Sequence, residues 1–251
     1  MITSVKTVGR SSIIHRWETR HKLLGFAALI FGFAFVRDLR LLPLILVASC
    51  LIYYLAALPF SYLFSRMRLP GFFLLVLAVI LPFGSGETTI TELGPLALKL
   101  EGSLNLLLIA VKFISILTLS VVLFASTPLT GLVGAMRSLG VPSLPAEMLL
   151  FTHRYIFQLA DDLRRTRIAA NLRGFKGKSL FSLKTLAYIV GTLLVRSHVQ
   201  SERVFQAMTL RGYGRETVQI AMAAPGLSDR LALAGGLALA ASLILAQAFL
   251  L

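Results

Sequence analysis

The chain has one cysteine, Cys50, which excludes both an intrachain disulfide framework and a multi-cysteine metal cluster. Acidic residues are scarce, 11 against 25 Lys and Arg, and only 14% of residues are charged, too few for the solvated surface of a soluble domain this size. Its four histidines, His15, His21, His153 and His198, show no His-x-x-x-His spacing, so no metal site is expected on this chain alone. The apolar runs hold no Ser-His-Asp or paired-carboxylate constellation, which argues against an intramembrane hydrolase. A phosphate loop is also missing. Gly177-Lys178-Ser179 imitates its end, but Leu172 stands where its first glycine belongs and no strand precedes it, so no catalytic residue and no bound cofactor are expected.

What is abundant is apolar surface. At 57% hydrophobic residues and a positive mean hydropathy, the chain reads as an all-α integral membrane protein. The net charge of +14 could suggest nucleic acid, but on a multi-span protein basic residues mark the loops left in the cytoplasm. Apolar runs at 23–36, 41–60, 69–83, 104–125 and 231–251 predict about five transmembrane helices, the first and third short against the roughly 20 residues a span needs. The polar leader, with Lys6, Arg10, Arg16, Arg20 and Lys22, shows no cleavable signal.

Charge sets the expected orientation. The leader and a turn at 61–68, carrying Arg66 and Arg68, are placed inside, and the 84–95 loop, with Glu87 and Glu92 and no base, outside. The Arg37-Asp38-Leu39-Arg40 turn then falls outside, against the rule. Three segments follow: an N-terminal membrane domain of four spans (1–125), a cytoplasmic stretch (126–230) and a last span (231–251). The apolar residues 180–195, broken by Lys184, are expected as a helix packed at the membrane surface. Lys112, inside the fourth run, is read as a structural pairing or a snorkelling side chain rather than part of an ion pathway, since its span holds no carboxylate.

The cytoplasmic stretch holds the main clue. Ala169-Ala170-Asn171-Leu172-Arg173-Gly174-Phe175 is echoed 38 residues later by Ala207-Met208-Thr209-Leu210-Arg211-Gly212-Tyr213. Pro142 and Pro145 interrupt the chain, and residues 147–173 then run free of proline and glycine, predicting one long amphipathic helix. Its apolar line is Leu149, Ile156, Leu163 and Ala170, with Leu159 and Phe151 alongside. Asp161 and Asp162, among Arg164, Arg165 and Arg167, read as a solvated, self-paired face. Gly174 would stop the helix in a left-handed cap, with Arg173 on its last turn where the dipole favours a cation. Residues 201–211 repeat the design before Gly212, and Arg203 lies eight residues before Arg211 as Arg165 does before Arg173. A single Arg-Gly is an ordinary helix ending; two copies sharing Leu, Arg, Gly and an aromatic point to a docking device, because a guanidinium fixed at a helix end makes forked contacts with carboxylate or carbonyl oxygens.

These residues resemble the transmembrane T component of energy-coupling-factor (ECF) transporters, of the CbiQ type associated with cobalt or nickel uptake. The resemblance is carried by Gly9-Arg10-Ser11-Ser12, Ile14-His15-Arg16 and Arg20-His21-Lys22-Leu23-Leu24. It continues through Phe151-Thr152-His153-Arg154-Tyr155, both signature ends, and Ser201-Glu202-Arg203-Val204-Phe205-Gln206-Ala207-Met208 leading to Gly214. The family usually writes the signature Ala-Arg-Gly, so Leu172 and Leu210 depart from it. The resemblance implies a non-catalytic coupling and scaffold subunit in the bacterial inner membrane, N-terminus inside. Leu172, Arg173, Gly174 and Leu210, Arg211, Gly212 would dock two nucleotide-binding ATPase subunits, supported by Arg165, Arg203, Phe175 and Tyr213. ATP and magnesium would sit on those partners, and a small membrane substrate-binding (S) subunit would hold the solute, cobalt or nickel or else a vitamin such as biotin. The competing classes are a self-contained secondary transporter or channel, which predicts repeated spans with paired charges at mid-membrane, and a membrane enzyme.

Overall fold

The computed structural model describes residues 17–84, 89–93, 96–175, 182–213 and 226–250. In chain order its elements are α1 (Thr19–Phe35), a 3-10 turn (Leu39–Leu41), α2 (Leu42–Ala56), α3 (Phe60–Gly84), β1 (Thr89–Leu93), β2 (Leu96–Lys99), α4 (Leu100–Ser126), α5 (Leu129–Ser138), α6 (Ser143–Leu172), α7 (Ser182–Leu210) and α8 (Leu227–Leu250). They form two compact units, one holding α1 to α4, most of α5 and α8, the other the end of α5 with α6 and α7.

In the first unit the segments Leu39–Ala56, Gly102–Ser126 and Asp229–Phe249 are long and apolar enough to cross a membrane. Phe60–Arg68 and Pro70–Leu81 make a fourth if taken together, bent by 61° at the break between them. The expected turn at 61–68 is therefore helix, the first arm of α3. No breaker occurs before Pro70, which lacks the N–H for the bond to the residue 66 carbonyl and bends the helix there. Arg66 stacks its guanidinium 5.6 Å from the centre of the Tyr62 ring, one turn back on the same arm. α1 has 17 residues, the lower limit for a span. Between α3 and α4 the backbone forms an antiparallel ribbon, Thr89 opposite Lys99 and Leu93 opposite Leu96, in a stretch expected as a loop. Thr89, Ile90 and Thr91 supply the β-branched run such a ribbon favours.

α1 is the axis of this unit. Phe26, Leu29, Phe33 and Val36 are buried with Ile45 and Ala48 of α2, Leu119 and Val122 of α4, and Ala240 and Leu243 of α8. A Cβ on Gly32 would lie 3.2 Å from Cβ and 3.3 Å from Cα of Ala240, and one on Gly236 only 3.7 Å from Cα of Gly25. Small residues thus let α1 and α8 approach backbone to backbone, the packing that replaces hydrophobic drive between helices in lipid. Gly32→Leu is expected to cost about 1–3 kcal/mol, as overpacking of a tight contact does, and to lower Tm in detergent. An unchanged Tm would show that the seam opens without cost.

Polar side chains close the helix ends. Lys22, buried near the start of α1, donates from Nζ to the Ser126 carbonyl at the end of α4 (3.3 Å). Lys112, in α4, donates from Nζ to the Ala34 and Val36 carbonyls, both at 2.7 Å, where α1 ends. The Gln247 side-chain carbonyl of α8 accepts from the backbone N–H groups of Arg37 (2.9 Å) and Asp38 (3.2 Å). At 1.5 Å per residue α1 is about 25 Å long against a hydrocarbon thickness of about 30 Å, so its final carbonyls fall short of the headgroups. Lys112 and Gln247 supply the bonds that water would otherwise make. Lys112 is thus a structural pairing, with carbonyls rather than a carboxylate.

In the second unit α6 and α7 are single rods of 30 and 29 residues. α6 begins earlier than expected: Pro142 is its N-cap residue and Pro145 lies in the first turn, where no intrahelical N–H bond is lost. α7 joins residues 182–195, part of the 180–195 segment expected as a helix at the membrane surface, to residues 201–210, because Arg196-Ser197-His198-Val199-Gln200 between them contains no breaker. The two rods are linked where Gln158 donates through Nε2 to Oε1 of Gln200 (3.2 Å).

Candidate docking site

The repeated phrase becomes a repeated backbone structure. At the end of α6, the N–H of Phe175 donates to the Ala170 carbonyl (3.1 Å) and that of Gly174 to the Asn171 carbonyl (3.1 Å). At the end of α7, the N–H of Tyr213 donates to the Met208 carbonyl (3.0 Å) and that of Gly212 to the Thr209 carbonyl (3.0 Å). Gly174 and Gly212 sit at φ +91° and +86°, the left-handed region open to glycine. Both ends are Schellman caps in the same register, with arginine at the C-cap, leucine just before it and an aromatic two places after it.

A third Schellman cap separates capping from signalling. α5 ends with Gly140 at φ +99°, the N–H of Val141 donating to Met136 (3.2 Å) and that of Gly140 to Arg137 (3.2 Å), but Leu139 holds the C-cap place. Among the described residues the motif thus ends three helices, and the two signature ends are the ones with arginine at the C-cap itself; the arginine of α5, Arg137, lies two residues before its C-cap. Their surroundings are open: Leu172 is 85% and Leu210 89% exposed, and Arg173 and Arg211 are exposed beside them. Neither guanidinium has an ion pair or hydrogen bond among the described residues. Leucines so exposed at fixed helix ends have no apolar cover from the described residues.

Other predicted residues fall differently. Arg165 and Arg203 are exposed, eight residues from their tips, which on a helix is about 12 Å along the axis and roughly 80° around it. The structure does not bring them to Arg173 or Arg211; Arg203 instead lines a crevice with Asp162 and Arg196. Asp161 and Asp162 form no ion pair within 4.0 Å among the described residues, so that face of α6 is solvated but not self-paired. Leu149, Ile156 and Leu163 are exposed too, so the described residues do not supply the apolar material expected against that line. A neighbouring row, Met148, Phe151, Tyr155 and Leu159, forms with Leu193, Phe205 and Met208 of α7 an apolar groove of about 400 Å³. The Gly9–Arg16 residues of the resemblance, Gly177-Lys178-Ser179 and Gly214 lie outside the described residues.

One contact had no sequence signal. The Tyr213 hydroxyl donates to the Glu147 carboxylate on the first turns of α6, 66 residues away, and Glu147 in turn lies 3.8 Å from Nη1 of Arg137 at the end of α5. Donation to the carboxylate, then a slight desolvation and the charge of Glu147, hold the Tyr213 hydroxyl above its usual pKa, against an opposite effect of Arg137. The first copy has Phe175, which offers no hydroxyl.

A helical bundle with segments of membrane length, joined in one chain to two rods that each end in an arginine-tipped cap, is the architecture of a polytopic membrane protein. Residues 10–220 match the family described as CbiQ, cobalt transport protein. The chain belongs to that family and is a transmembrane T component of the ECF transporter type. It is similar to the energy-coupling factor transporter transmembrane protein EcfT of Streptococcus equi subsp. equi (strain 4047), 26% identical over 215 residues, 81% of this chain and 80% of the relative. The EcfT of Lactococcus lactis subsp. cremoris (strain MG1363) is 28% identical over 217 residues, 80% of each chain.

Proposed function

We propose that the chain is the coupling and scaffold subunit of an ATP-driven uptake transporter in the bacterial inner membrane, with its N-terminus and both rods on the cytoplasmic side. Arg173 and Arg211 each dock in a groove on one of two nucleotide-binding ATPase subunits, flanked by Leu172 and Leu210 as apolar anchors. The observation that carries this reading is the pair of matching, open caps with arginine at the C-cap, set against the α5 cap, whose backbone is the same but whose C-cap residue is Leu139 and whose Arg137 lies two residues earlier, beside Glu147. ATP and magnesium act on the partners, and this chain contributes no catalytic group and holds no cofactor of its own. When the ATPases close on ATP, the tips are displaced and the rods carry that displacement to a separate substrate-binding membrane subunit. The groove between α6 and α7 and the exposed line Leu149, Ile156 and Leu163 are the apolar surface offered to it. Coupling of this kind requires that docking differ between the two ATPase states.

The solute is proposed as cobalt or nickel ion on the family's description. The relatives' names specify no solute, which favours as the second reading a vitamin, such as biotin, held by a different S subunit. Affinity purification in mild detergent tests the assembly: two copies of a nucleotide-binding subunit and one small membrane protein should accompany each chain. Recovery of the chain alone, or as a homo-oligomer that transports unaided, would favour a self-contained secondary transporter or channel.

A further inference from the structure

We propose that Tyr213 is a positioning residue that hooks the second docking tip onto the start of α6, making α6 the spacer that sets the distance between the two arginines. The inference rests on the docking reading of Arg173 and Arg211 and goes beyond it by assigning the separation of the tips to one side-chain contact. Tyr213 follows Arg211 by two residues, and the cap between them is rigid: the N–H of Tyr213 is bonded to Met208, that of Gly212 to Thr209, and Gly212 is committed to a left-handed φ. Whatever holds the Tyr213 ring therefore holds the Cα of Arg211. That ring is held at its hydroxyl by Glu147, itself beside Arg137 of α5. Arg173 closes the far end of the same helix, 26 residues beyond Glu147, so α6 separates the two tips by roughly 39 Å at 1.5 Å per residue.

The alternative support for this spacing is weak. Among the described residues the other side-chain hydrogen bond between α6 and α7 is the amide pair Gln158–Gln200, and a groove of about 400 Å³ runs between the two helices. Rods bonded at one point can pivot; bonded at a second point, distant along α6, they cannot. Gln158 lies 11 residues from Glu147, about 16 Å along α6, far enough for the second contact to fix the angle between the two helices. The first copy needs no such hook, because its tip is the end of α6 itself, and there the aromatic is Phe175. The difference between Tyr and Phe in two otherwise matching phrases is thus a difference of role.

The test uses the full chain in lipid nanodiscs, with Cys50→Ser and spin labels at Leu172→Cys and Leu210→Cys, and separately the label-free chain co-expressed with a pair of ECF-type ATPase subunits. Tyr213→Phe should broaden the distance distribution between labels, and Glu147→Gln, which keeps an acceptor oxygen for the hydroxyl, should leave it narrow. In co-purification, Tyr213→Phe should lower ATPase recovery about fivefold, the scale of one lost hydrogen bond. The same loss should appear in an Arg173→Ala background and vanish in an Arg211→Ala background, because the hydroxyl acts only through Arg211. An unchanged distribution, or an equal loss in both backgrounds, would overturn the positioning role. Full ATPase recovery in the Arg211→Ala chain would instead remove the docking reading, while the distance measurement still decides whether Tyr213 sets the spacing.

Discussion

Changing Arg173 and Arg211 together to glutamate is expected to abolish recovery of the nucleotide-binding subunits with the chain, and with it solute uptake, while the protein still accumulates in the membrane at its normal level. Hydrogen bonds to a charged group contribute about 1.5–3 kcal/mol each, so two lost guanidinium contacts weaken association by roughly a hundredfold to ten-thousandfold. Charge reversal adds repulsion from any carboxylate that received the arginine. Stability should hardly respond. Both arginines are exposed and have no intrachain side-chain partner among the described residues, and the caps are made by backbone bonds and the two glycines. What the mutant loses at home is a favourable cation at each helix C-terminus, about 0.3–1 kcal/mol per site. Each single change should give an intermediate loss. Retained association in the double mutant, with normal expression, would end the docking role.

The second large effect is expected at Lys112, on stability rather than assembly. Lys112→Leu removes both bonds to the Ala34 and Val36 carbonyls and leaves those acceptors in an apolar setting. A neutral interhelical hydrogen bond in lipid averages only about 0.6 kcal/mol, which would predict a marginal change. The charged donor and the stranded acceptors decide otherwise, toward about 3 kcal/mol. Thermal unfolding in detergent should show a clear fall in Tm, with hydrogen exchange increased at residues 34–38. ATPase association per folded molecule should be unchanged. A stable Lys112→Leu protein that has lost transport would instead return Lys112 to an ion pathway.

The membrane character was legible because it depends only on composition and run length: a backbone in lipid must satisfy its polar groups within the segment, and helices of about 20 apolar residues do so. The caps were legible for a similar reason. A glycine that follows a helical run and is needed at positive φ is a local demand, met by Gly174 and Gly212 without help from the rest of the chain. Local reasoning failed where breakers were weighed without their position. Pro145 has the sequence look of an interruption but lies in the first turn of α6, where it breaks no bond; Pro70 sits inside an apolar run but bends α3, so that the 61–68 stretch before it is helix rather than turn. Residues 180–195 and 201–211 were kept apart by their polarity, although nothing in the five residues between them could end a helix.

Sequence by itself determined that this is a helical membrane protein and that two of its helices end in the same arginine-bearing phrase, since both follow from composition and from turns whose geometry is set within six residues; the T-component type came from the resemblance of its motifs to a family. Only the tertiary structure decided that Lys112 closes the short end of α1, that Gln247 holds the turn beyond it, and that Tyr213 reaches Glu147. Each of those contacts joins residues 66 to 210 positions apart. No local preference encodes such a meeting; it exists because the packing of whole helices brings one polar group within reach of another.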